Sequence, residues 1–495
     1  MKAVYLKNFR KGFATNSSST HSVIYQNKDA LLKDLNIFEL NYYDRFDSTI
    51  AASKDAKIKY VAANIFYNKK LFEVMCAFYP EMKQYKELAE KEIKENDGYF
   101  GMGARGRLYF DTSDNFEASI DYLRNIIDND EIVIVGGSDE EDFVYETKRD
   151  HVELPEPDEV GNGKLKIPSV VKNGNYWVGY GWDGKVRYMT EKGDCIPEYP
   201  ELIDICITKK CQWNCPMCYM NANMDGKHAD LGETKNIIRN LSTDYRGQYK
   251  KRIEFSVGGG NVLLYPHLDE LFKYMTEEGH IVNTTINAQD TAHLLTDDKL
   301  KKTFTDYVSA IGVSVCNDKD IDLLNNIDFK QYFKEKQITI HLIPEMLGVE
   351  KTKKMVEKLN SIGYYSLLFL GYKTNGRGAT QQHTVFTDQD LNDLLLDKIY
   401  TSVDTTFANT YKEWLDKNFE TEHTVTLFEG EYSMFIDAVD GIAYKSSYQL
   451  DKPYGLIYTT YDEHLTKWFT PIEAFAKIRE DNGFKSFSEN KHSLT

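Results

Sequence analysis

Cys211, Cys215 and Cys218 fall within eight residues in a C-x3-C-x2-C spacing, directly after the apolar run at 202–208. Thiols this close cannot close a useful disulfide framework in a chain of 495 residues. Their thiolates can instead converge on a soft metal or an iron-sulfur cluster. Three ligands are one short of a filled four-iron cluster, and an iron left open beside a redox centre is a place for chemistry. A zinc site needs four closed ligands, and Cys206 or His228 offers the fourth. Cys206, inside the run 203–207, reads equally as a small buried thiol. A thioredoxin-like pair, Cys215-Pro216-Met217-Cys218, would leave Cys211 unexplained.

A second cluster of unusual residues, Gly258-Gly259-Gly260-Asn261, closes the apolar run at 253–257. Consecutive glycines mark a tight turn or a close approach of backbone to another group. With the order strand, cysteine loop, strand, glycines, the chain resembles the radical S-adenosylmethionine (SAM) superfamily. The resemblance implies that Cys211, Cys215 and Cys218 hold a [4Fe-4S] cluster whose open iron binds the amino and carboxylate groups of SAM. One electron, from a small donor such as flavodoxin or ferredoxin, then cleaves SAM to a 5'-deoxyadenosyl radical that takes hydrogen from a substrate. Gly259 and Gly260 take the paired-glycine positions, and Asn261 stands beside the SAM amino group where an acidic residue is usual. The same resemblance puts the backbone of Met217 against adenine, Asn287 at the ribose or carboxylate, and Ser314 at the ribose. Gly376-Arg377-Gly378-Ala379 is similar to a segment of peptide-modifying members. No catalytic residue is assigned.

The elements that must position these residues begin near residue 200, where strands at 202–208, 253–257, 281–286, 308–315, 338–343 and 365–370 alternate with helices. Helices at 268–277 and 351–361 end at Gly279 and Gly363. Six such units predict an α/β fold, a partial (β/α)6 parallel barrel, with its site at the C-terminal ends of the strands. The cysteine loop follows the first strand, at that end. Three regions result: an N-terminal α+β domain of unknown role (1–198), the barrel (199–384), and a small α+β C-terminal region (385–495).

In the first region, Thr15 to Ser22 reads as a hydroxyl-rich turn, or as an anion-binding or substrate-facing loop with His21 as a contact. Residues 64–96 show helical spacing, with Phe66, Leu71, Val74, Met75 and Phe78 on one apolar stripe. A helix at 116–127, a strand at 132–135, a solvated acidic run at 139–142, a linker at 154–163 and a hairpin pairing 176–180 with 185–188 follow. In the last region Thr387 or Asp388 opens a helix. A hairpin around Asp440-Gly441 resembles that of SPASM domains, the cluster-bearing extensions of radical SAM maturases. No cysteine follows Cys316, so auxiliary clusters are not expected.

Hydrophobic residues at 41% and charged residues at 28% describe an ordinary soluble protein. The absence of a ~20-residue apolar run or a signal-peptide core points to a cytoplasmic location without membrane contact, and seven cysteines suit a reducing compartment. A net charge of -17 disfavours extended nucleic-acid binding. The tyrosine- and acid-rich flanks favour a peptide or protein substrate over a nucleotide or nucleobase. The other class still open is a non-catalytic interaction protein, holding zinc or a cluster that no longer cleaves SAM; Asn261 motivates the latter.

Overall fold

The structure is a computed structural model that describes residues 2–11, 13–14, 21–36, 39–40, 48–65, 69–85, 116–135, 170–181, 184–242, 251–327, 329–334, 336–396, 401–456 and 468–487. The chain divides into two compact units, one of residues 1–9, 25–160 and 165–195, the other of 10–24, 161–164 and 196–495.

The first unit carries a seven-stranded sheet. Its helix Phe116–Asp128 and strand Ile132–Val135 lie where the sequence predicts, and Tyr176–Gly181 pairs antiparallel with Gly184–Met189 as the expected hairpin. Of the stripe expected at 64–96, Phe66 and residues 86–96 lie outside the described residues. One helix ends at Ile65, a second spans Lys69–Phe78, and the chain turns at Pro80, which cannot continue a helix. Phe78 is exposed rather than core, with the Arg124 guanidinium 4.1 Å over its ring. The residues at 139–142, at 154–163 and from Thr15 to Thr20 lie outside the described residues.

The second unit is organised on a twelve-stranded sheet. Its parallel block contains β1 (Leu202–Thr208), β2 (Glu254–Gly259), β3 (Ile281–Asn287), β4 (Ala310–Ser314), β5 (Gln337–Leu342), β6 (Leu367–Phe369), β7 (Thr401–Asp404) and β8 (Ser433–Asp437). The first six are the strands read from the sequence. The spatial order runs β8-β1-β2-β3-β4-β5-β6-β7, every neighbour parallel. The described sheet is open, and no ring of strands closes. The parallel block has eight strands rather than six, because β7 and β8 from the C-terminal region add to its two edges and cover strand ends that would otherwise be unpaired. His21–Val23 caps β7 antiparallel, and β8 turns through Asp440-Gly441 into β9 (Ile442–Tyr444), the expected hairpin.

Parallel strands covered on both faces usually read as continuous apolar runs. These alternate instead. Ile203, Ile205, Ile207, Phe255, Val257, Val282, Ile286, Ile311, Val313 and Ile340 turn one way, into a core shared with helices such as Leu268–Glu277 and Val349–Ser361. The intervening Asp204, Cys206, Ser256, Asn283, Thr285, Ser314, Thr339 and His341 turn the other way and give the sheet a polar face. At the N-terminal end of that face Arg10 pairs with Glu254, the Ala14 N–H also donates to Glu254, and the Phe13 N–H donates to Gln337 Oε1 at 2.8 Å.

Candidate functional site

The cysteine loop leaves the C-terminal end of β1 and is tied back on itself. Lys209 N–H donates to the Lys227 carbonyl at 2.8 Å and Cys211 N–H to the Asn223 carbonyl at 2.8 Å. Asn214 and Asn221, at φ 45° and 53°, are the non-glycine residues with positive φ among those described, and both lie in this loop. Such backbone persists only where surroundings over-determine it.

Those surroundings come from two places. At the end of β2, Gly259 adopts φ 117°, and a Cβ there would sit 2.3 Å from the Thr208 carbonyl oxygen and 2.6 Å from Cys206 Sγ. Gly260 N–H donates to Thr208 O at 2.6 Å and Asn261 N–H to Lys210 O at 2.8 Å, so the glycines lie hard against the backbone that enters the cysteine loop. The second place is the segment after β6. Gly376, at φ 54°, leaves no room for a Cβ, which would lie 2.4 Å from the Tyr219 carbonyl oxygen. Arg377 N–H donates to Cys218 O at 3.0 Å, its Nε to Cys215 O at 2.9 Å, and its Nη1 to Asn221 Oδ1 at 3.2 Å and Ala222 O at 3.0 Å. Arg377 is thus a clamp on the cysteine loop rather than a loose surface arginine.

The three thiols are half-buried. Burial first, and then the neighbouring Cys218 and Cys211 thiols, push Cys215 up, while Arg377 pulls it down; burial likewise raises Cys211. A cation bound beside these thiols would invert that balance. Among the described residues, the trio of His, Cys, Asp or Glu with all ligand atoms within 4.8 Å of one another is Glu420, Glu422 and His423. A cubane takes each thiolate on a different iron. Of the two proposed fourth zinc ligands, His228 Nδ1 is 2.8 Å from Thr208 Oγ1, and Cys206 Sγ, fully buried on β1, lies 3.5 Å from the Thr208 carbonyl oxygen.

Asn261 is buried with its amide engaged. Oδ1 accepts from Leu263 N–H at 3.1 Å, capping the short helix Val262–Leu264, and Nδ2 donates to Gln212 Oε1 at 3.0 Å and Asp290 Oδ2 at 3.1 Å. Asp290, just beyond β3, also accepts from Trp213 Nε1 at 2.7 Å and Gln212 Nε2 at 3.2 Å. Its carboxylate joins the cysteine loop, the glycine turn and the end of β3, and burial raises its pKa. Asn287 accepts from Gln289 N–H at 2.9 Å, and the sheet register puts Asn287, Ser314 and His341 side by side at the ends of β3, β4 and β5. Met217 sits in the loop, half-buried. Cys316, beyond β4, has its thiol pushed up to about 12 by burial, Asp320 and Cys215.

Sequence reasoning missed a buried charged group beside the loop. Lys373 pairs with Asp404 Oδ2 at 2.9 Å, and its ammonium lies 5.6 Å from the ring centre of Tyr219 and 5.2 Å from that of Tyr448. Tyr219 directly follows Cys218. Glu429, pushed up to about 7 by burial, faces Lys373 and Asp404; His341, pulled down to about 3 by burial, faces the same pair. The signal available in the sequence was Asp204, a carboxylate alone in the apolar run of β1.

No protein-family model and no curated protein matches the sequence. Among solved structures it is similar to Streptococcus suis SuiB bound to S-adenosylmethionine, at 15% identity and a TM-score of 0.39, over 57% of this chain and 64% of that one. SuiB bound to the precursor peptide SuiA matches at 15% identity and a TM-score of 0.37, over 50% of this chain and 60% of SuiB. anSMEcpe with bound AdoMet matches at 13% identity and a TM-score of 0.37, over 55% of this chain and 82% of that one. The chain thus spans under two thirds of the length of SuiB, and likeness this slight says nothing of activity.

Proposed function

We propose that the chain is a radical SAM enzyme, in which Cys211, Cys215 and Cys218 hold one [4Fe-4S] cluster and SAM binds its open iron. The observation that carries this reading is the set of three half-buried, neighbouring thiols on a clamped loop at the C-terminal end of a parallel sheet. When bound, the cluster supplies the electron that cleaves SAM to methionine and a hydrogen-abstracting 5'-deoxyadenosyl fragment. The chain's own residues do the positioning. Gly259 and Gly260 seat the loop against β2, Arg377 fixes the carbonyls around Cys215 and Cys218, and Asp290 holds Asn261, Gln212 and Trp213 in place. In this reading β1 to β6 form the partial barrel, region 199–384 carries the chemistry, and the backbone of Met217 with Asn261, Asn287 and Ser314 contacts SAM. The substrate is a peptide or protein side chain, and a small protein such as a flavodoxin or ferredoxin donates the electron.

Anaerobic reconstitution with iron and sulfide tests the reading. Bound iron and sulfide with absorbance near ~400 nm, where iron-thiolate charge transfer absorbs and zinc does not, are expected in the native chain and lost when all three cysteines become alanine. Zinc without iron, or iron retained in the triple variant, refutes it. A cluster that forms without SAM cleavage identifies the non-catalytic binding protein, a reading that the fully engaged amide of Asn261 keeps in view.

A further inference from the structure

On the polar face of the sheet the register sets Asp204 of β1, Ser256 of β2 and Asn283 of β3 side by side. All three residues are at most 2% exposed, and Asp204 Oδ1, Ser256 Oγ and Asn283 Oδ1 have no hydrogen-bond partner among the described residues. The orientation of the Asn283 amide is fixed, because its Nδ2 donates to Glu254 Oε1 at 3.0 Å. Glu429 faces Asp204 and adds a fourth oxygen of this kind; its Oε2 accepts from Ser433 Oγ at 3.1 Å, while Oε1 has no partner among the described residues. A buried polar atom without a partner costs about 1–3 kcal/mol, and Asp204, Ser256, Asn283 and Glu429 each leave one, so this face favours a polar ligand.

Lys373 pairs with Asp404 between the rings of Tyr219 and Tyr448, and Arg10 pairs with Glu254, while Arg10 Nε and Nη1 have no hydrogen-bond partner among the described residues. Of the carboxylates Asp204, Asp404 and Glu429 around Lys373, two are left over. Two carboxyl groups beside a hydroxyl and an amide oxygen suit an organic cation with several N–H bonds.

We propose that the face formed by Asp204, Ser256, Asn283 and Glu429 binds the ammonium or guanidinium of a lysine or arginine side chain of the substrate, beside the cysteine loop. This assignment rests on the radical SAM reading for its role in catalysis, but not for the binding itself. Tyr219 links the two places: its chain neighbour is Cys218, and its ring lies on the ammonium of Lys373, whose charge acts on Asp204. Both Asp204 and Glu429 are raised by burial, so an incoming cation expels protons as it binds.

The test is calorimetric titration of the anaerobically reconstituted full chain, without reductant, with three N-acetylated, C-amidated tripeptides: Ala-Lys-Ala, Ala-Arg-Ala and Ala-norleucine-Ala. At least one cationic peptide is expected to bind tenfold or more tightly than the norleucine peptide, and the tighter of the two identifies the group. Binding should release protons, seen as heats that change with the ionisation enthalpy of the buffer. Asp204→Asn and Glu429→Gln, each checked for an unchanged circular dichroism spectrum and cooperative melting, should each weaken it about tenfold; if one variant fails to fold, the other and the norleucine control still decide. Equal affinity for norleucine, no binding of either cationic peptide, or affinity unchanged in both folded variants overturns the proposal. None of these readouts needs SAM cleavage, so a chain that binds the lysine peptide yet forms no 5'-deoxyadenosine contradicts the radical SAM reading alone.

Discussion

Arg377→Ala removes three side-chain hydrogen bonds, Nε to Cys215 O at 2.9 Å and Nη1 to Asn221 Oδ1 at 3.2 Å and Ala222 O at 3.0 Å, while the backbone bond to Cys218 O stays. The acceptors are partly reachable by water, so each bond contributes less than is usual for a charged donor, about 1 kcal/mol. Together they hold the loop closed by about 3 kcal/mol, a factor of about a hundred in the population of the open loop. A cluster released from an open loop should be lost correspondingly faster. The assay is decay of absorbance near ~400 nm in the reconstituted chain after adding an iron chelator anaerobically. Arg377→Lys keeps the charge but not the planar fork, and should fall between the two. Decay in Arg377→Ala at the native rate would show that the clamp does not support the cysteines, and the reasoning from those distances would be wrong.

Gly259→Ala forces a Cβ to within 2.3 Å of Thr208 O at a φ of 117°. It should cost about 3 kcal/mol or more and lower the melting temperature by several degrees, as read by differential scanning fluorimetry. Asn261→Leu removes the bonds to Gln212, Asp290 and Leu263 and should raise the dissociation constant of SAM about tenfold or more; an unchanged constant would place the SAM amino group elsewhere. Glu429, at an ordinary value of 4.5 when unfolded, keeps its proton to about pH 7 when folded. Between those values the folded state binds more protons, so this group makes stability fall as pH rises through the window, by about 3 kcal/mol in all. Glu429→Gln should remove that fall, and denaturant titrations at pH 5 and pH 8 measure it.

Much of the second unit was legible because its strands are short segments of regularly placed apolar residues with clear stops. Gly279, at φ 93°, and Gly363, at φ 86°, end their helices where expected, and Asp440-Gly441 turns its hairpin. The cysteines and the glycine triplet were equally visible, since each motif lies within a few consecutive residues. What was hidden depends on contacts far apart in sequence. Arg377 reaches Cys215 across 162 positions, and Lys373 meets Asp404 across 31. Asp290 gave no local sign that it would gather Trp213 and Asn261, because its partners come from two other loops. β7 and β8 were missed as parallel strands because they are edge additions, chosen by the unpaired backbone of β6 and β1 rather than by their own pattern. The polar face was written in the alternation of β1, where Asp204 interrupts Ile203 and Ile205, but its meaning needed the register that brings Ser256 and Asn283 alongside.

The central claim is that Cys211, Cys215 and Cys218 make one cluster that cleaves SAM. The most direct measurement is 5'-deoxyadenosine released per chain by the anaerobically reconstituted protein with SAM and dithionite, compared with the chain in which all three cysteines are alanine. The account predicts 5'-deoxyadenosine and methionine in equal amounts from the native chain and none above background from the variant. A native chain that carries its full iron and sulfide yet forms no 5'-deoxyadenosine, or a variant that forms as much, would contradict it.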